Sequence, residues 1–321
     1  MRMYLAKRLL LIIPTVLAAS VLVFIVMRVL PGDIVLVILS GSGESTVTPE
    51  SRAILTQELG LNEPLPVQYG RWLWDMVNGN FGGRSLETRE PIREIIARQL
   101  PVTLLLAGYT MILSILVSLP LGILAAIWRN RWPDYVIRVG TLMGLALPNL
   151  WIALLIILVF VLFLSWSPPI MYTVPWSDPW NHIQMIAWPV LILSWQYSSH
   201  LVRVIRLSML EALAQDYISA ARSRGLSETT LVLKHALPNT LIPTVTMLGL
   251  QFGSLLSGAI ILETIFGLPG IGRGLVQAAL ARDYPVIQSI ASLLVMLSLL
   301  INVAVDTTYS LIDPRISRSL H

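Results

Sequence analysis

Asp216-Tyr-Ile-Ser-Ala-Ala-Arg-Ser-Arg-Gly-Leu226, running on to Lys234-His-Ala-Leu-Pro-Asn239, is a polar island between two long apolar segments. Its spacing is helical. From Tyr217, the residues Ala220, Ala221 and Arg224 follow at three, four and seven positions and so share one helix face. Gly225 ends this helix, because the left-handed conformation costs glycine least. Ser227 is placed to cap a second short helix, with Glu228 near its positive end. That helix is expected to stop near Leu237, since Pro238 lacks an N–H and restricts the residue before it. Two alanines on one face allow another surface to approach closely. The plainer alternative is an amphipathic loop lying on lipid head groups.

The rest of the chain explains why such an island stands out. Of the 321 residues, 55% are hydrophobic and only 12% charged, whereas a soluble domain carries about 25% charged residues. Apolar runs over 9–30, 100–128, 135–164, 186–205, 240–262 and 286–312 predict six membrane-spanning helices, each long enough for the ~20 residues a crossing needs. The runs are continuous rather than alternating, which favours helices over a closed barrel. The fourth span is expected to begin after Pro189. The first resembles a signal peptide, but no small-residue cleavage site follows it, so it reads as an anchor. Segment 31–98 is polar and mixed in charge, with a Gly/Ser-rich stretch at 40–45, and predicts a small extracytoplasmic subdomain.

Cations orient the bundle. Arg2, Lys7 and Arg8 precede the first span, and Arg129, Arg131 and Arg138 bracket the link between the second and third. Arg203, Arg206, Arg222, Arg224 and Lys234 lie between the fourth and fifth, and Arg315 and Arg318 follow the sixth. The opposite side has no Lys or Arg from Ser165 to Ala187. Both termini and the island are therefore expected in the cytoplasm. No basic stripe interleaved with aromatics points to nucleic acid.

Several chemistries find no support. The lysines are Lys7 and Lys234 alone, and neither follows a phosphate-cradling glycine loop. The glycine-rich run Gly267-Leu-Pro-Gly-Ile-Gly-Arg-Gly274 is interrupted by Pro269 and reads as a turn. His182, His200, His235 and His321 are scattered without metal-ligand spacing. There is no cysteine and no G-x-S-x-G elbow, so no catalytic residue and no metal site is expected. Asn149, Gln196, Gln251, Asn302 and Asp306 lie within or near the apolar runs. Such groups bond neighbouring helices or face a polar path, and helix–helix bonding is the favoured reading. Pro120, Pro148 and Pro189 can kink their helices.

Ser219-Ala-Ala-x-x-x-Gly225, then nine residues, then His235-Ala-Leu-Pro238, resembles the EAA loop of binding-protein-dependent ABC importer permeases. Ser219 and His235 depart from the general pattern. The fuller set Asp216, Tyr217, Ile218, Ala220, Ala221, Arg222, Arg224, Gly225, Leu226, Lys234, His235, Asn239 and Pro243 matches the dipeptide/oligopeptide/nickel branch. So do Leu30-Pro-Gly-Asp33, Leu59-Gly-Leu-Asn-Glu-Pro-Leu-Pro-Val-Gln-Tyr69, Gly79-Asn-Phe-Gly82, Glu263-Thr-Ile-Phe-Gly-Leu-Pro-Gly-Ile-Gly272, Arg282-Asp-Tyr-Pro285, Asp306 to Tyr309 and Asp313-Pro-Arg315, in that order. The chain is similar to the first permease subunit of that branch's pair.

The resemblance implies an all-α membrane protein with the type I importer (MetI-like) six-helix bundle. Its parts would be a tail and first helix at 1–30, an extracytoplasmic subdomain at 31–98, a transmembrane core at 99–312 with a coupling loop at 207–239, and a tail at 313–321. It implies a bacterial or archaeal plasma-membrane permease moving dipeptides or oligopeptides. Nickel complexes, glutathione, haem and oligosaccharides stay open. Implied partners are a second homologous permease subunit, two cytoplasmic ATPases holding Mg-ATP, an extracytoplasmic solute-binding protein and membrane lipid. No cofactor is expected on this chain. Asp216, Tyr217, Ala220, Ala221, Arg224, Gly225, Leu226, Lys234 and His235 would couple to the ATPase. Glu263, Phe266, Pro269, Gly270, Arg282, Asp283 and Tyr284 would gate the outer mouth or meet the binding protein. The rival classes are an ion-gradient transporter or channel and a membrane-embedded enzyme. The first would need paired acidic or broken-helix sites at mid-membrane and the second a converging catalytic set.

Overall fold

A computed structural model describes the backbone of residues 2–29, 53, 56, 62–169 and 171–312, and the side chains of these from 13–28, 53, 56, 62–169 and 171–304. The motifs at 30–33, 59–61 and 313–315, the 40–45 stretch and the side chain of Asp306 lie outside this description. Every regular element among the described residues is helical, apart from an isolated antiparallel bridge between Arg84 and Pro91.

In chain order the helices are α1 (Arg2–Val29), α2 (Leu65–Val77), α3 (Ile92–Ile127), α4 (Trp132–Ala146), α5 (Asn149–Leu164), α6 (Pro179–Leu213), α7 (Asp216–Ser223), α8 (Glu228–Phe266), α9 (Ile271–Ala281) and α10 (Tyr284–Ile312). By length and apolar composition, α3, α8 and the described part of α10 can each cross a membrane. They coincide with three of the expected spans.

Three expectations are corrected. The run over 135–164 is two helices, α4 and α5, bent by 98°. Leu147 is extended (ψ 125°) ahead of Pro148, as the clash with a following proline ring requires. The fourth span lies within a helix that starts at Pro179, not after Pro189. The Asp178 side chain caps it by accepting from the Asn181 N–H at 3.1 Å, and Pro179 occupies the first position, where its missing N–H costs nothing. The helix after Ser227 does not stop at Leu237 either. It passes through a π-helical turn, Leu231–Ala236, which ends two residues before Pro238, and continues to Phe266. The wider turn accommodates a residue that cannot donate.

The described residues form two compact units. One is built from those of Met1–Arg8, Leu104–Leu268 and Leu300–His321, the other from those of Leu9–Thr103 and Pro269–Leu299. In the first, α6 is the central helix, packed by α4, α5 and α8. It buries Leu193, Leu201, Ile205 and Met209 completely. It also buries polar groups, among them Ser194, Ser198 and Ser199. Ser194 donates to the Thr110 carbonyl on α3 (3.2 Å), and the Trp195 indole donates to the Gly140 carbonyl on α4 (3.1 Å). Two glycines permit these approaches. A Cβ on Gly122 would lie 2.6 Å from Ile205, and one on Gly144 would collide with Ser199.

In the second unit, Ile92, Ile96, Ile271, Val286 and Ile290 form the core between the first turns of α3, α9 and α10. The Ile271 N–H donates to Thr103 Oγ1 at 2.9 Å. α2 lies against α1 through a Ser20–Tyr69 hydroxyl pair (2.7 Å) and an edge contact of Phe24 with Tyr69.

Candidate functional site

The polar island folds as expected in outline: helix, glycine, helix. α7 ends at Ser223, Arg224 follows as its cap, and Gly225 takes φ +82°. Ser227 Oγ accepts from the Thr230 N–H at 3.4 Å and caps α8. What fastens the island to the bundle is Ile218, which is wholly buried among Ala126, Met209, Ala212, Leu231, Val232 and Ala236.

Two polar staples close the loop. The Tyr217 hydroxyl donates to the His235 carbonyl (3.3 Å) and accepts from Asn239 Nδ2 (2.8 Å). Arg222 grips Glu228 with two hydrogen bonds, at 2.6 and 3.1 Å. The guanidinium beside it, first through these bonds, holds the Glu228 carboxyl below its ordinary range, and the carboxylate raises Arg222 in turn. Arg222 lies in the last turn of α7 and Glu228 at the first residue of α8, both exposed and ahead of the apolar part of α8. A depressed carboxyl keeps its contribution above the ordinary carboxylate range and loses it as pH falls through the lowered value. The staple should therefore be unchanged across neutral pH and open only in acid, which amide exchange in 222–228 would read. Opening near neutrality would contradict this assignment.

Asp216, Tyr217, Ala220, Arg224, Gly225, Leu226 and Lys234 are exposed, whereas Ala221 and His235 are half-buried. Ala221 packs against the Ile218 cluster. Asp216 sits in the first turn of α7, where a carboxylate complements the helix dipole. A Cβ on Gly225 would meet nothing within 4 Å, so this glycine is required by its backbone conformation and not by space.

The seven outer residues fall in two places. Glu263 and Phe266 are buried near the end of α8 in the first unit. In the second unit Gly270, Asp283 and Tyr284 are buried, Pro269 is half-buried and Arg282 alone of the set is exposed. Asp283 is engaged internally. Its Oδ2 accepts from the Ser85 hydroxyl, the Leu86 N–H (3.0 Å) and the Glu87 N–H (3.3 Å), which holds the 85–87 turn against the start of α10. Asp283→Ala would orphan these donors, at a cost of roughly 1–3 kcal/mol for each one left buried. Limited proteolysis should then cut near residues 84–91 much faster than in the parent chain. Unchanged protection would show that the clamp does not hold the turn.

Three of the polar groups of the spans join helices, Asn149, Gln196 and Gln251. Asn149 Nδ2 donates to Gln196 Oε1 between α5 and α6 (2.7 Å), and Gln251 Nε2 donates to the Tyr197 carbonyl between α8 and α6 (3.3 Å). Asn302 is exposed, with its Oδ1 3.4 Å from where a Cβ on Gly253 would lie.

Sequence reasoning missed a pair near the island. Asp134, fully buried in the first turn of α4, receives Arg206 Nε at 2.7 Å and Nη2 at 2.8 Å, and the Asn130 N–H at 3.0 Å. A lone acid beside Trp132-Pro133 at a helix start was the available signal.

Residues 118–318 match the family described as binding-protein-dependent transport system inner membrane component, and residues 1–107 match its N-terminal domain. Similar chains include the glutathione transport system permease protein GsiC of Salmonella paratyphi A, 40% identical over 313 residues and 98% of each chain. The protein of the same name in Escherichia coli is 39% identical over the same extent. Among solved structures, a chain of the MetNI methionine ABC transporter in inward-facing conformations superposes with a TM-score of 0.55 at 17% identity, over 70% of this chain and 99% of that one. That likeness concerns the fold.

Proposed function

From the premise that this chain belongs to the inner-membrane permeases of binding-protein-dependent ABC importers, in the peptide/nickel branch, we propose that it moves short peptides, glutathione first among them, under power supplied by separate cytoplasmic ATPases. The observation that carries the proposal is the island itself. It is a compact helix–glycine–helix element that buries Ile218 in the bundle and turns Tyr217, Ala220, Arg224 and Leu226 outward. A rigid element anchored to α6 and α8 can pass the closure of a docked ATPase pair to those helices as rigid-body motion. The chain has no phosphate-cradling loop with its lysine, so nucleotide chemistry is assigned to the partner.

Alternating access then follows. ATP-driven closure draws the loops of this chain and a second permease subunit together and opens the path toward a docked solute-binding protein; hydrolysis returns it inward. Both termini and the island lie in the cytoplasm. Glutathione is the first cargo to test because relatives similar along 98% of this chain carry its name.

The test is ATP-driven uptake of labelled glutathione, and of di- and tripeptides, by the assembled importer in proteoliposomes. Uptake by this chain alone in an ion gradient would sink the ABC assignment. Uptake of metal chelates but no peptide would sink only the cargo assignment. Gly225→Val should weaken ATPase capture, because a β-branched residue in the left-handed region costs roughly 1–2 kcal/mol. Gly225→Asn should be tolerated. Equal behaviour of the two would remove backbone conformation as the reason for this glycine.

A further inference from the structure

Between α4 and α6 lies a cavity of about 330 Å3, lined by Arg138, Thr141, Leu142, Arg203, Arg206 and Leu207 among others. Its charge is unbalanced. Three arginines face it, and the carboxylate of Asp134 offsets one of them by pairing with Arg206, which leaves two positive charges. Arg138 and Arg203 are exposed and form no ion pair among the described residues. Arg138 lies 5.8 Å from the Tyr135 ring centroid.

The surroundings are apolar and aromatic. Leu142 is 56% exposed and Leu207 51%, and the exposed side of α4 continues with Val139 and Met143. Trp132 and Tyr135, at the start of the same helix, are also exposed. Tryptophan and tyrosine sit by preference at the level of lipid head groups, and basic pockets between membrane helices suit phosphate-bearing head groups. Arginine matches phosphate oxygens with paired donors. The volume is within the range of small-molecule sites.

The geometry points to a binding site for the head group of an anionic phospholipid of the phosphatidylglycerol type. Arg138 and Arg203 clasp the phosphodiester, and the acyl chains run over Leu142 and the neighbouring apolar face of α4. Arg206 sets the shape of the site but is held by Asp134. A free phosphate would use the same guanidinium groups yet gain nothing from the apolar side, and the lipid uses both.

The test uses the full chain in nanodiscs. Lipid retained on extraction is counted by native mass spectrometry, from bilayers of phosphatidylcholine alone or mixed with phosphatidylglycerol. The parent should keep phosphatidylglycerol in preference. Each of Arg138→Gln and Arg203→Gln should lower that preference about fivefold, with the melting temperature in pure phosphatidylcholine unchanged. The corresponding lysine variants should keep most of it, and Arg129→Gln all of it. The proposal is overturned if the double glutamine variant retains phosphatidylglycerol like the parent. It is overturned in favour of a soluble anion if inorganic phosphate displaces the lipid as readily as added phosphatidylglycerol does. It is overturned in favour of a protein contact if lipid retention holds while capture of a purified ATPase subunit falls.

Discussion

Asp134→Ala should lower the stability of the protein by about 3–5 kcal/mol, the range for removing one member of a buried ion pair. The Asp134 side chain is fully buried and that of Arg206 is 15% exposed, and the two share hydrogen bonds of 2.7 and 2.8 Å. The same carboxylate also reaches back to the Asn130 N–H (3.0 Å) and complements the positive end of α4. Without it, Arg206 would stand uncompensated in a groove that already holds Arg138 and Arg203. Thermal unfolding in detergent should show a clear fall in midpoint, with poorer recovery from membranes. Asp134→Leu combined with Arg206→Met replaces both partners by apolar groups of similar bulk and should regain most of the loss, since such exchanges are often neutral or better. If the double variant is as unstable as Asp134→Ala, packing rather than charge holds α4 to α6.

That pair also shows where sequence reading stops. Asp134 and Arg206 are 72 positions apart, and a count of cations reads Arg206 as one more solvated charge on the cytoplasmic side. Nothing local reports its partner. By contrast, α3, α8 and α10 are legible as continuous apolar runs, because a helix facing lipid or core has no reason to interrupt them. The break at Leu147–Pro148 is carried by one dipeptide inside an apolar stretch, and an average over that stretch hides it. Around α6 the Asp178-Pro179 signal is present but competes with Pro189, which the helix absorbs. At Pro238 the rule that proline ends a helix loses to the π-helical turn before it, a conformation with no clear sequence signature.

The island is legible in its punctuation and not in its attachment. Gly225 and Ser227 mark the ends of helices by chemistry that acts within a few residues. On α7 Ile218 has a single small neighbour at helical spacing in its cluster, Ala221, and the buried residues around it come from α6, the end of α3 and the turn of α8. The exposed alanine-bearing face is therefore the smaller part of the design, and the buried side decides whether that face exists.

Ile218→Ala should abolish ATP-driven uptake while leaving the membrane bundle folded. Truncating a fully buried isoleucine costs about 2–5 kcal/mol, and Ile218 is 0% exposed. The element that bears this cost is small. α7 has 8 residues, too few to persist as a helix without tertiary support. The remaining staples, the Tyr217–Asn239 hydrogen bond and the Arg222–Glu228 ion pair, are exposed, and such bonds and pairs each contribute little. The loss should thus appear as local opening of 216–226 rather than global unfolding. Amide exchange there should quicken about 30-fold or more, the equivalent of the lower bound of that range, with little change in the bundle's melting temperature. Ile218→Val, which removes one methyl group at about 0.5–1.5 kcal/mol, should retain partial uptake. Arg224→Ala, on the exposed side, should weaken ATPase capture without changing exchange in the loop. Undiminished uptake by Ile218→Ala would show that the island need not be ordered to transmit force. Loss of uptake together with a collapse in melting temperature would make Ile218 a residue of the bundle core and not the anchor of a separable loop.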